Sequence, residues 1–176
     1  FSVDDKGFDG LIVSARLEID DDLALDNVAS AILHRPSESR ILLVSDRHQP
    51  LLTKMLAADT NIDLVHIQTQ DYQGAERGDI VIFDQYVREE LPDANIMFLN
   101  PVDGLPFMPV EQKTELVRVI DQERTHAIMR DVSLINLQVK ESLIPQLPIW
   151  GIPLVETTHA PLIWFGEHAE RKTVVF

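Results

Sequence analysis

Three short stretches of continuous apolar sequence constrain the fold of this chain most strongly. They are RILLVSD at 40–46, DIVIFD at 79–84 and NIMFLNP at 95–101, and each is closed by polar residues. Strands that are buried on both faces of a sheet have this pattern. Residues 48–59 place apolar side chains at helical spacing, and residues 62–68 form a further strand pattern. A strand, a helix and three strands with short connections predict a parallel α/β sheet.

The first 36 residues follow a different pattern. Residues 11–19 alternate between apolar and polar side chains, which predicts a half-buried antiparallel strand. Its apolar face consists of Leu11, Val13, Ala15, Leu17 and Ile19. Two interpretations stay open for residues 23–33, because their propensity favours a helix that ends before Pro36, whereas a loop followed by a strand from Val28 to Leu33 also fits.

Beyond Pro101 the sequence predicts mainly strands. A turn or short helix is expected around residues 125–131, and the chain ends on a strand without a closing helix. The predicted strands cover residues 115–121, 135–143, 152–158, 160–167 and 171–176.

Charge and cysteine content exclude several classes of function. The formal net charge is −14, and a surface this acidic repels nucleic acid and anionic membranes. The chain has no cysteine, so it can form no disulfide, no thiolate metal site and no thiol nucleophile. It begins at Phe1 within a strand-like pattern, and we therefore expect a fragment of a longer protein.

No metal or cofactor motif is present in the sequence. Calcium-loop registers that start at Asp20 or Asp22 lack the required glycine and the closing glutamate. The six histidines show no zinc spacing, and the loop SDRHQ has no glycine to cradle a phosphate. We therefore predict no metal and no cofactor, with a looser cation site at residues 20–26 as the weaker alternative to a solvated turn.

Polar residues at the carboxyl ends of the predicted strands form the candidate ligand site. In an open parallel sheet, ligands bind in the crevice outside these ends. The alternative is that the same residues form turns and cap helices. The candidates are Ser45, Asp46, Arg47, His48, Asp84, Gln85, Asn100 and Pro101. His66 lies inside an apolar strand, and we expect it to be a hydrogen-bonded core residue.

The order of several segments resembles the C-terminal region of bacterial membrane proteins that carry a von Willebrand factor A domain, relatives of the Bat aerotolerance proteins. The segments are DDDLALDNVASAILHRP at 20–36, the three apolar runs, and THAIMRDVSLINLQVKES at 125–142. The resemblance implies that residues 1–36 are a β-hairpin remnant of an immunoglobulin-like sandwich. It also implies that residues 37–176 are a domain similar to class I glutamine amidotransferases.

The resemblance further assigns three motif residues. Asp26 and Asn27 would lead from an acidic turn into a strand at 28–33, and His126 would precede a short helix or turn. Amidotransferases of this class need a cysteine nucleophile and a His-x-Glu pair. The chain has no cysteine, and its HAE at 168–170 lies in a polar stretch typical of a hairpin turn. We therefore predict that the chain is not an enzyme.

The expected fold class is α/β, with a flavodoxin-like or amidotransferase-like parallel sheet, an N-terminal β-hairpin and a β-rich C-terminal part. The expected function is that of a non-catalytic interaction or sensing module of a membrane-anchored von Willebrand A domain protein. The alternative is a small-molecule-binding or hydrolytic domain that uses the strand-end residues. The expected partners are proteins, including a second copy of the chain, and not nucleic acid. The domain itself is expected to be soluble, to reach the membrane only through other parts of its parent, and to lie on the extracytoplasmic side.

Overall fold

The computed structural model describes residues 2–4, 10–18, 27–34, 38–75, 79–134 and 136–176. The chain divides into two units, Phe1–Glu38 and Ser39–Phe176. The strands are β1 Ser2–Asp4, β2 Gly10–Arg16, β3 Val28–His34, β4 Ser39–Val44, β5 Ile62–Ile67, β6 Ile80–Asp84, β7 Asn95–Leu99, β8 Val110–Gln122, β9 Gln138–Pro145, β10 Gly151–Thr157, β11 Pro161–His168 and β12 Arg171–Val175. The helices are α1 Pro50–Ala57 and two short 3-10 helices, Thr69–Asp71 and Ala127–Met129.

The first unit is a three-stranded antiparallel sheet in the order β1-β2-β3. Val13 pairs with Ala31, and Ser14 pairs with Ser30 through hydroxyls that lie 2.8 Å apart. Residues 28–33 are therefore a strand and not a helix, because pairing with β2 overrides their local helix propensity. Residues 20–26, including Asp26 and the aspartate cluster, lie outside the described residues.

The second unit is built on one nine-stranded mixed sheet in the order β5-β4-β6-β7-β12-β11-β10-β8-β9. The strands β5, β4, β6, β7 and β12 run parallel to one another. From β12 onward, each pairing through β11, β10, β8 and β9 is antiparallel. The predicted strands at 40–46, 62–68, 79–84 and 95–101 are present, and they supply the parallel half of the sheet.

The prediction of a flavodoxin-like or amidotransferase-like α/β fold is wrong. Such a fold needs helices between its strands, and the described residues contain a single α-helix, eight residues long. Residues 85–94 include Pro92, and residues 100–109 include Gly104 and three prolines. Proline removes a backbone donor and clashes within a helix, so these two connections remain loops. The second unit is a mostly β structure with a parallel half and an antiparallel half.

Both faces of β4 and β6 are buried, as their continuous apolar sequence predicted, whereas β7 is buried on one face and only half-buried on the other. Residues 41–44 of β4 and 81–83 of β6 are all buried. On one face, Phe83 packs in a cluster with Phe98 and Trp164. On the other face, Leu52 and Leu56 of α1 pack against a smaller cluster that includes Leu43. In the part of the chain that the structure describes, no helix is long and apolar enough to cross a membrane.

Candidate ligand-binding site at a reversal of strand order

The order of the parallel strands reverses direction at β4. The chain runs from β4 through α1 to β5 on one side, and it then crosses to β6 on the other side of β4. In an open sheet, the two connections leave opposite faces at such a point, and a crevice opens beyond the carboxyl ends of the two strands. Ser45 directly follows β4, and Asp84 is the last residue of β6. The predicted candidates at 45–48 and 84–85 therefore lie at this crevice.

A buried hydrogen-bond network joins the two strand ends. The Ser45 hydroxyl donates to Asp84 Oδ2 at 2.7 Å, and the Gln49 side-chain amide donates to the same oxygen at 2.9 Å. Ser45 is 1% exposed and Asp84 is 5% exposed. Gln49 precedes α1 but makes no side-chain capping bond there, because its amide is directed to Asp84. The network links β4, β6 and the start of α1.

The two carboxylate oxygens of Asp84 differ in their hydrogen bonding. Within the described part of the chain, Asp84 Oδ1 accepts no hydrogen bond, and it is not one of the fully buried polar atoms that lack a partner. Oδ1 is therefore reachable from the crevice. An ionised carboxylate has about four lone-pair sites, so Asp84 retains acceptor capacity on its open side.

Asp46 is held in a different way. Its Oδ2 accepts the Thr69 hydroxyl at 2.6 Å, and its Oδ1 accepts the Thr69 backbone N–H at 2.9 Å. The Thr69 hydroxyl is the larger cause, and the Thr69 N–H the second, of a pKa of Asp46 that lies below its ordinary value. Hydrogen bonds to the charged form favour that form, so Asp46 is an anion at the rim of the crevice at neutral pH.

Replacing Thr69 with valine should raise the pKa of Asp46 toward its ordinary value. The change removes the hydroxyl donor and leaves the backbone donor in place. Because the pKa is depressed in the folded state, these bonds stabilise the fold above the ordinary carboxyl pKa and are lost as the pH falls through the lowered value. A carboxyl ¹³C NMR titration measures the change, with Thr158→Val as the control. An unchanged Asp46 titration in Thr69→Val would contradict this assignment.

Two residues that follow strands adopt left-handed backbone conformations. Gln85 has a φ of 53° and Asn100 has a φ of 49°. The Gln85 N–H donates to Leu99 O at 2.9 Å, and the Asn100 N–H donates to Phe176 O at 2.6 Å. Each residue thus extends the ladder to the neighbouring strand and then turns the chain. Strained turns at strand ends carry the nucleophile in some hydrolases, but a glutamine side chain has no nucleophilic atom.

The structure brings together some of the predicted site residues and not others. Arg47, His48 and Gln85 are exposed beside the Ser45–Asp84 pair. Asn100 instead lines a cavity of about 70 Å³ whose wall includes Met108 and Trp164. That volume is well below the ~300 Å³ at which ligand pockets for drug-sized molecules begin.

The motif residues His126, His168 and Asn27 each contact neighbouring residues of the fold. His126 Nδ1 accepts the Ile128 N–H at 3.3 Å, and its ring packs on Phe165 with centroids 4.9 Å apart. His168 stacks on Trp150 at 5.4 Å and pairs with Arg171 across the β11–β12 hairpin. The HAE sequence is therefore part of a hairpin, as predicted. Asn27 is buried, and its carbonyl accepts the Leu17 N–H at 2.8 Å.

Sequence reasoning missed two residues of the site and misplaced a third. Gln49 and Thr69 were not candidates, although Pro50 directly after Gln49 marks a helix start where polar side chains are common. His66 is exposed and is not a core residue, because β5 is the edge strand of the sheet. Its Nε2 lies 3.0 Å from the backbone O of Ser45.

Comparisons with known proteins inform the fold alone. No family model matches the chain, and no curated protein matches it in sequence. The structure is similar to the cytoplasmic protein STM3548 from Salmonella typhimurium, with a TM-score of 0.53 and 10% identity over 78% of this chain and 86% of that one. It is also similar to the cytoplasmic protein STM1381 from Salmonella typhimurium LT2, with a TM-score of 0.51 and 10% identity over 95% of this chain and 84% of that one.

Proposed function

We propose that this chain is a non-catalytic interaction or sensing module, and that the crevice between the carboxyl ends of β4 and β6 is its ligand-binding surface. The observation that carries the proposal is the coincidence of the strand-order reversal with a buried carboxylate, Asp84, that keeps one oxygen open. Crevices at such reversals are the usual ligand sites of open parallel sheets.

The hydrogen bonding around Ser45 supports a non-catalytic role. A serine nucleophile needs a base at its hydroxyl to remove the proton. Asp84 accepts the Ser45 hydroxyl and could serve as that base, but Ser45 is 1% exposed, so its oxygen is not presented to a substrate, and the His66 ring contacts the Ser45 carbonyl oxygen and not the hydroxyl. The absence of cysteine removes thiol chemistry as well. The arrangement can hold a ligand, but it provides no accessible nucleophile.

The sequence resemblance described above supports the wider biological setting. By that resemblance, the module belongs to a membrane-anchored bacterial protein with a von Willebrand A domain, and it acts through protein partners. The names of the two structural neighbours describe those proteins as cytoplasmic, and at 10% identity they bear on the fold only.

NMR mapping with a mixture of small polar fragments tests the proposal. We expect shift changes at the backbone amides of residues 45–48 and 84–85, because these residues surround the crevice. Fragments that bind only elsewhere, for example at the cavity beside Asn100 and Trp164, would contradict the placement of the site. Ammonia release from glutamine above a buffer blank would overturn the non-catalytic part of the proposal.

A further inference from the structure

We propose that the crevice binds a small organic cation with N–H donors, such as a primary ammonium or a guanidinium group, on the open oxygen of Asp84. This inference rests on the proposed function, because it names the ligand class of the same crevice. It follows from three features: the state of the Asp84 carboxylate, the second carboxylate at the rim, and the number of ligands that the site can supply.

Asp84 is a buried acid that forms no ion pair in the described part of the chain. Its two hydrogen bonds come from neutral donors, Ser45 and Gln49, and both end on Oδ2. Burying a carboxylate costs free energy unless it is paired and hydrogen-bonded. A cationic donor at Oδ1 would supply both a hydrogen bond and an opposite charge to the Asp84 carboxylate. Such a charge-assisted hydrogen bond is shorter and stronger than a neutral one.

Charged groups of both signs lie around Asp84, because Arg47 is exposed beside it and Asp46 lies at the rim. Asp46, at the end of the neighbouring strand, is a second anion that Thr69 keeps ionised. The whole chain carries a formal charge of −14, which raises the local concentration of cations around it. The Gln49 amide donates to Oδ2 of Asp84, so Oδ1 is the oxygen that a ligand donor would use.

A bare metal ion fits the site less well than an organic cation. No group of three or more histidine, aspartate or glutamate side chains within the described residues is placed to hold a metal. Calcium takes six to eight oxygen ligands, and magnesium demands a near-octahedral set. An ammonium or guanidinium group needs only one or two acceptors in a fixed direction, which is what Asp84 offers.

The test compares four probes at equal ionic strength by NMR: butylammonium, methylguanidinium, tetramethylammonium and butyrate. Saturable shifts are expected with the first two, at the side-chain amide of Gln49 and the backbone amides of Ser45 and Gln85. Tetramethylammonium has the charge but no N–H donor, and butyrate has the opposite charge, so neither should saturate these signals.

Two variants and a control establish which residue is responsible. Asp84→Asn should weaken binding of methylguanidinium by about tenfold or more, as expected for the loss of a charged hydrogen-bond partner. Asp93→Asn changes the net charge equally at an exposed loop position and should leave binding unchanged. Asp46→Asn removes the second carboxylate at the rim and should also weaken binding, by less than Asp84→Asn does, and it replaces Asp84→Asn if that variant does not fold.

Each result separates this inference from the proposed function. If butyrate or another anion moves the same crevice signals, the crevice binds ligands but the cation inference is wrong. If tetramethylammonium binds as tightly as methylguanidinium, the negative electrostatic potential of the whole chain attracts cations without a specific hydrogen bond, and the inference is overturned. If no cation moves the Gln49 signal while fragments still map to the crevice, the inference fails and the binding function stands.

Discussion

Replacing Phe83 with alanine should lower the free energy of unfolding by about 3–5 kcal/mol, the range for a buried phenylalanine truncated in a well-packed core. Phe83 is fully buried at the centre of the parallel strands. Its ring stacks on Phe98 with centroids 5.5 Å apart and meets the edge of Tyr72 at 5.4 Å. Aromatic pairs stabilise a core beyond the apolar area that they bury. Removing the ring therefore loses the buried area and the aromatic contacts, and it leaves a cavity. Urea unfolding followed by circular dichroism measures the change.

Phe176→Ala is the matched control for this substitution. The same atoms are removed at a position where the side chain is 42% exposed. The backbone bonds of Phe176 to Phe98 and Asn100 do not involve its ring, and they are retained. We expect a loss of about 1 kcal/mol or less. Equal effects of the two substitutions would show that Phe83 is not a centre of the core.

The apolar runs predicted the parallel strands because burial on both faces leaves a direct trace in sequence. Residues 41–44 and 81–83 have no polar side chain, and all seven are buried. The fold class was inferred partly from resemblance, and it was wrong because residues 85–94 and 100–109 form loops where that fold has helices. Periodicity in those connections is too weak, and proline too frequent, for helices to form there.

The site was predictable only as far as backbone geometry determines it. The sequence predicted that Ser45 and Asp84 lie at carboxyl ends of parallel strands, and the structure shows that their strands β4 and β6 are neighbours. The directions of loop side chains depend on tertiary packing, and no sequence pattern signalled that Gln49 turns away from its helix toward Asp84. Asn100 lies at a different cavity, whose wall includes Val175 of the neighbouring strand β12 and Trp164 of β11.

Asp84→Leu should lower the free energy of unfolding by about 2–3 kcal/mol, because it leaves buried donors without their acceptor. Ser45 is 1% exposed, so its hydroxyl cannot turn to water, and the other acceptor within its reach is Arg47 O at 3.4 Å, while its oxygen accepts the Arg47 N–H at 3.0 Å. Gln49 is half-buried and can rotate its amide outward, so Ser45 accounts for most of the loss. Adding Ser45→Ala to Asp84→Leu should recover part of the stability, since the unsatisfied hydroxyl is removed and the Arg47 N–H that it accepted belongs to an exposed residue and can bond to water.

Asp46→Leu serves as the control, because it removes an exposed carboxylate from the same crevice and should destabilise the fold much less than Asp84→Leu. Urea unfolding of the single and double variants forms a complete cycle that isolates the Ser45–Asp84 coupling. If Asp84→Leu were as stable as the parent chain, the cost of burying the carboxylate would equal the gain from its bonds. Stability would then give no reason for an acid at this position, and ligand binding at its open oxygen would be the remaining physical role for Asp84.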